Sequence, residues 1–166
     1  MSCAMSTDSI IRQSSMVIPN EILLEQVRQA ILAGHTATIN VKGYSMRPFL
    51  ENNADKVVLK ACENPQVGDA VLAEVSPKKY VLHRVIMRDG DHLTLMGDGN
   101  LQGTEDCEVS DVIGVVSFYI HRGKKIPADL PSLKRRIALW GRLRPVRRYL
   151  LFIYKVQLKL REKLSL

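Results

Sequence analysis

Tyr80 to Met96 reads YVLHRVIMRDGDHLTLM, and this stretch decides the fold class. Val, Ile, Leu and Tyr fill Tyr80–Met87, and His92–Met96 has a similar make-up, with Asp89-Gly90 between the two. β-Branched and aromatic runs on either side of Asp-Gly predict a β-hairpin. Two-residue alternation places His83 on one strand face with Val81, Val85 and Met87.

Working outward, Thr36–Val41, Lys56–Lys60, Ala70–Val75 and Val112–Ile120 have the same strand composition. Turn signals separate them: Glu51-Asn52-Asn53, Pro65 with Gly68-Asp69, Ser76-Pro77, and the run from Gly97 to Gly103. Six short strands at this spacing predict a mainly β fold, an antiparallel and strongly bent sheet or partly open barrel. Before them, Pro19–Ala33 reads as a helix. Asn20 is its N-cap, Leu23, Val27, Ala30 and Ile31 form its apolar stripe, and Gly34 ends it. Residues 1–15 are small and polar and are expected to be disordered, leaving 16–121 as the folded domain.

The charge is unevenly spread. Residues 1–121 carry 10 Lys/Arg against 15 Asp/Glu, whereas 122–166 carry 14 against 2, so the net +7 comes from the C-terminal segment. Gly123–Pro131 reads as a linker, and Pro145 is expected to split the remainder into two helices. In the second, Val146, Leu150, Ile153, Val156, Leu160 and Leu164 fall on one face and Arg147, Arg148, Lys155 and Lys159 on the opposite one. Tyr149, Phe152 and Tyr154 widen the apolar side. A basic amphipathic helix with aromatics suits an anionic membrane surface, with a partner protein as the other occupant. Nucleic acid fits less well, because it would leave the apolar face uncovered.

Cys3, Cys62 and Cys107 are too few and too scattered for a disulfide framework, and no Cys/His spacing suits zinc. The reading calls for no metal and no cofactor. The polar start has no basic flank followed by an apolar run, and no apolar stretch reaches the roughly 20 residues that span a bilayer. A cytoplasmic location is expected, with the basic tail offering a peripheral membrane contact.

Chemistry centres on Val41–Leu50, VKGYSMRPFL, where Gly43 and Pro48 place Ser45 on a tight turn. A serine hydroxyl needs a base to become a nucleophile. Among the four histidines, His35 follows a helix end, His92 opens an exposed strand and His121 opens the basic tail. His83 alone lies mid-strand among apolar neighbours, where a neutral imidazole can accept a proton. A carboxylate to orient it is offered by Asp98, in the GDGN turn, or by Asp106 beyond the same loop. Taken singly, Asp98 and Asn100 are equally suited to holding that turn through side-chain to backbone bonds.

Together these pieces resemble the type I signal peptidase superfamily, the group that also holds the LexA-type peptidases. GYSMRPFL resembles its Gly-x-Ser-Met-x-Pro box, VGDAVL its Gly-Asp-x-Val segment, VLHRVI its base-bearing strand and MGDGN its Gly-Asp-Asn box. The four occur in the family's order between Ile39 and Val116, close to half of the chain. Histidine at the base position is similar to the endoplasmic-reticulum-type branch. The resemblance implies Ser45 as nucleophile, His83 as general base, Asp98 or Asp106 as third member, and an oxyanion site of backbone N–H groups around Ser45. Gly99 stands where the family often has Asn, and the carboxylate spacing differs, so Asp98 and Asp106 both stay open.

The expected function is therefore a serine endopeptidase that cleaves a peptide or protein precursor. No N-terminal membrane anchor is read in the sequence, which favours a precursor-trimming relative over an export enzyme. The competing expectation is a non-catalytic peptide-binding or scaffold module, tethered by its basic tail.

Overall fold

The computed structural model describes residues 20–164. The expectation of disorder at 1–15, the Pro19 helix start and Cys3 lie outside them. The chain opens with helix α1 (Asn20–Leu32), followed by strands β1 (Ala37–Asn40), β2 (Asp55–Lys60), β3 (Ala70–Ser76), β4 (Lys79–Asp89), β5 (His92–Met96), β6 (Glu105–Glu108), β7 (Val112–His121) and β8 (Lys124–Pro127). Helices α2 (Pro131–Arg142) and α3 (Arg147–Leu164) complete it.

The strands form one open antiparallel sheet in the order β1-β2-β7-β3-β4-β5-β6, and β8 also pairs with β7. Register slips at Val58/Leu59, Leu72/Ala73 and Val85/Met87 bend it. The last slip carries Met87 out of the alternation with His83, and Met87 is exposed. Two strands exceed the expected six. The sequence of β6 is EDCE, whose charges hide its strand character and suit an unpaired sheet edge. That of β8 is KKIP, inside the segment expected to be a linker.

The sheet is covered on both faces along β3. Ala70 and Leu72 join a cluster with Val27 and Ile31 of α1, Val57 and Leu59 of β2, and Met46 and Leu50 of the β1–β2 connection. Val71 and Ala73 face the other way, toward Val85, Leu93, Leu95, Cys107 and Val115. Helix α1 docks through Leu24, Val27 and Ile31, while Leu23 stays exposed. It stops where His35 N–H donates to the Ala30 carbonyl and Gly34 N–H to that of Ile31, with Gly34 at φ +82°. Such a Schellman turn favours glycine.

Pro145 does separate two helices, lying in the 3-10 turn Arg144–Val146 between α2 and α3. Both pack on the sheet domain. Ile137 and Leu151 are buried, the Trp140 indole N–H donates to the Asp98 carbonyl at 2.8 Å, and the Tyr154 hydroxyl donates to Glu51 at 2.5 Å. The docked face of α3 is Arg147, Leu151, Tyr154 and Leu158, so Arg147 lies inside rather than on a solvated basic face. Tyr149, Phe152, Ile153, Val156 and Leu160 point outward. Among the described residues, no helix is long and apolar enough to cross a membrane, and no cluster of three His, Cys, Asp or Glu is placed to hold a metal ion.

Candidate active site

Ser45 sits on the connection between β1 and β2. Met46 and Leu50, at 2% and 1% exposure, plug the core just after Ser45. Burying each is worth about 1.5–3 kcal/mol. Gly43 takes a left-handed φ of +84° and donates to the Asn52 side chain at 2.9 Å, and the Arg47-Pro48 bond is cis. Arg47 pairs with Glu51 at 2.8 Å and lies over the Tyr44 ring at 4.2 Å. The core thus grips Met46 and Leu50 while Ser45 is left half-buried.

The loop after β5 closes on this turn. Gly99 N–H donates to the Ser45 carbonyl at 2.7 Å. A Cβ on Gly97 would stand 2.5 Å from that same carbonyl oxygen, and one on Gly99 would stand 2.6 Å from the carbonyl oxygen of Tyr44. Both glycines are needed for close approach, since neither has a positive φ. Arg84 pairs with Met96 at the end of the β4–β5 ladder, with His83 and Gly97 the next residues along. The glycine that admits the serine turn and the histidine thus both lie just beyond the last pair of this ladder.

His83 is 6% exposed and its Nδ1 lies 2.9 Å from Oε2 of Glu105. Because a carboxylate accepts, Nδ1 carries the proton and Nε2 remains as the acceptor. The contact follows from register. Val85, Leu95 and Glu105 stand side by side on β4, β5 and β6, and His83 is two residues before Val85.

The two carboxylates expected to assist His83 are engaged elsewhere. Asp98 is buried and receives Arg84 Nε at 2.8 Å and Nη2 at 2.5 Å. Burial opposes the Arg84 charge, but Asp98, helped by Tyr119, outweighs it and raises the guanidinium pKa. Arg84 follows His83 in β4, so alternation aims it at the opposite sheet face. Asp106 accepts the Thr94 hydroxyl at 2.8 Å and lies 3.5 Å from Nε2 of the exposed His92. Thr94 and Asp106 are register partners on the face away from His83. Glu105 was legible in principle: alternation along β6 puts it on the side of buried Cys107, the core-facing side that His83 shares.

The remaining histidines pair on the surface or lie in loops. His121 Nδ1 is 2.7 Å from buried Asp55, and His92 Nδ1 is 3.2 Å from Glu108.

No family model matches the chain. Protein ImpA of Salmonella typhimurium, of Shigella flexneri and of Escherichia coli is in each case 30% identical to it over 91 residues, 55% of this chain and 62% of the relative. The chain thus spans about three fifths of the length of the curated relatives it matches.

Proposed function

We propose that this chain is a serine endopeptidase in which Ser45 is the nucleophile, His83 the general base and Glu105 the carboxylate that orients it. The observation that carries the reading is the part-buried His83–Glu105 pair, next to the end of the β4–β5 ladder where Gly97 receives the Ser45 turn. Glu105 fixes the tautomer of His83 and stabilises the imidazolium once it forms. Ser45 Oγ attacks a peptide carbonyl as Nε2 of His83 takes its proton. Backbone N–H groups of the serine turn hold the oxyanion. His83 then protonates the departing amine, and water, deprotonated by the same nitrogen, hydrolyses the acyl-enzyme.

The substrate class is a peptide or protein precursor, cleaved in the cytoplasm or at a membrane surface. The membrane contact is α3. Tyr149, Phe152, Ile153, Val156 and Leu160 form an exposed apolar strip opposite the docked face, with Arg148, Lys155 and Lys159 in a row beside it. An apolar strip bordered by cations matches an anionic bilayer surface. Tyr44, next to the nucleophile, shares a groove with Tyr149 and Phe152, so the same contact brings the serine turn near the lipid.

The test is labelling by a serine-reactive phosphonate, read by mass spectrometry. Wild type is expected to gain one adduct on Ser45, with Ser45→Ala gaining none and His83→Ala reacting far more slowly. Absence of labelling anywhere between about pH 6 and 9, where a histidine base operates, would overturn the enzyme reading in favour of a binding module. For α3, co-sedimentation with anionic vesicles is expected to fall when Phe152 and Ile153 are both replaced by Ser, and unchanged binding excludes the anchor.

A further inference from the structure

Helix α2 lies over the sheet face opposite His83 and walls an open cavity of about 880 Å³. This volume is in the range of small-molecule sites. Its apolar walls include Ala70, Val116, Ile137 and Trp140. Its charged lining is unbalanced: Arg84, Lys134, Arg144 and Arg147 against Asp69 and Asp98. Asp98 is already taken by Arg84, and the Asp69 carboxylate accepts the Gln66 N–H of its own turn.

Arg147 is 4% exposed, and its polar contacts are with neutral groups. Nη1 donates to the Asn100 carbonyl at 3.1 Å, Nη2 to the Trp140 carbonyl at 3.3 Å, and Nε has no partner. Arg144 directs Nη2 at the Met96 sulfur, 3.2 Å away, a weak acceptor. The arginine ion pairs among the described residues are those of Arg28, Arg47 and Arg84, and neither Arg144 nor Arg147 has one. Burial pushes the Arg147 guanidinium below its usual value. Asp98 partly offsets this and the nearby Arg144 adds to it. A buried cation without a counter-charge is costly, and exposed Arg144 at the pocket's edge adds a second positive charge beside Arg147.

We propose that this cavity binds a small organic anion, its acidic head on Arg144 and Arg147 and its apolar body against Ile137 and Trp140. The head supplies the missing counter-charge, and the body fills space lined by carbon. The site is separate from Ser45 and His83, and the proposal stands whether or not the chain is a peptidase.

Trp140 is the only tryptophan, so its emission reports the cavity directly. The full chain is titrated with octyl phosphate, octanoate, neutral 1-octanol and inorganic phosphate, each below its aggregation threshold. One or both amphipathic anions are expected to shift Trp140 emission saturably, at least tenfold more tightly than octanol or phosphate alone. The preference between octyl phosphate and octanoate identifies the head group. Arg144→Gln, at a solvent-reachable position, is expected to weaken binding roughly 10- to 100-fold, the worth of one charged hydrogen bond. Arg142→Gln, outside the lining, is expected to change nothing. The proposal is overturned if neither anion shifts the emission, if octanol binds as tightly, or if Arg144→Gln binds like wild type. Binding confined to the exposed strip of α3 would be insensitive to Arg144→Gln and so counts among the overturning results.

Discussion

Gly97→Ala isolates the fit between the serine turn and the loop after β5. The backbone at Gly97 has no positive φ, so alanine meets no conformational strain there. The obstacles are the Ser45 carbonyl oxygen, 2.5 Å from the new methyl, and the Asn100 side-chain amide, 2.9 Å away. Ordinary contact with the first needs about 1 Å more, and that obstacle is backbone rather than the end of a flexible side chain. Overpacking of this kind costs about 1–3 kcal/mol. The shift also strains the 2.7 Å bond from Gly99 N–H to the same oxygen, worth about 0.5–1.5 kcal/mol. A total near 2–4 kcal/mol, at about 2–4 °C per kcal/mol for a domain of this size, lowers Tm by roughly 5–15 °C. Differential scanning calorimetry measures it. Gly141→Ala in α2 is the control, because nothing lies within 4 Å of its added methyl. There, better helix propensity is expected to raise stability by about 0.5–1 kcal/mol. At a temperature where both variants are folded, phosphonate labelling of Ser45 in Gly97→Ala is expected to fall about a hundredfold, the usual effect of a 1 Å misplacement. A wild-type Tm would refute the packing argument. A lowered Tm with undiminished labelling would refute the role of Gly97 in placing the nucleophile.

Glu105→Gln is expected to slow labelling of Ser45 by about 10²–10⁴-fold while leaving the fold intact, and Asp106→Asn to leave the rate unchanged; equal rates in the two variants would remove Glu105 from the site. Asp98→Asn leaves Arg84 buried without its carboxylate and is expected to cost about 3–5 kcal/mol in urea unfolding. A shift under about 1 kcal/mol would show that the pair is not structural. Burial, with Asp111, Glu108 and Asp106 nearby, pushes the Cys107 thiol from 9.0 up to about 11. The unfolded chain releases this proton near 9.0 and the folded one near 11, so stability falls as pH rises between them and is unaffected below. Iodoacetamide modification of Cys107, followed by peptide mass spectrometry, is expected to keep accelerating past pH 9, and a plateau there would contradict the burial argument.

The hairpin and the central strands were legible because their apolar residues recur with a strand's period and turns separate them. The two missed strands lack that signal. Glu105-Asp106-Cys107-Glu108 becomes a strand through pairing with β5, and Lys124–Pro127 through pairing with β7, contacts that local propensity does not encode. Ser45 and His83 stood out from breakers and from alternation. The carboxylate that His83 contacts did not, because which of Asp98, Glu105 and Asp106 reaches it depends on the sheet face each one takes, and that follows from the register of β4, β5 and β6. The tail misled for a related reason. Amphipathicity marks two faces of α3 without saying which one docks, and the docked face contains buried Arg147.

The position of β7 sets an order of events during synthesis. Strands β1 and β2 leave the ribosome before the other strands, with Ser45 between them, and β3 to β6 follow as a meander carrying His83 and Glu105. Each group can pair locally, yet they are not sheet neighbours until β7 enters between β2 and β3. A nascent chain that stops before Val112 already contains all three side chains but lacks the strand that joins their two halves. On the proposed assignment, the three side chains share one sheet only after β7 has been made.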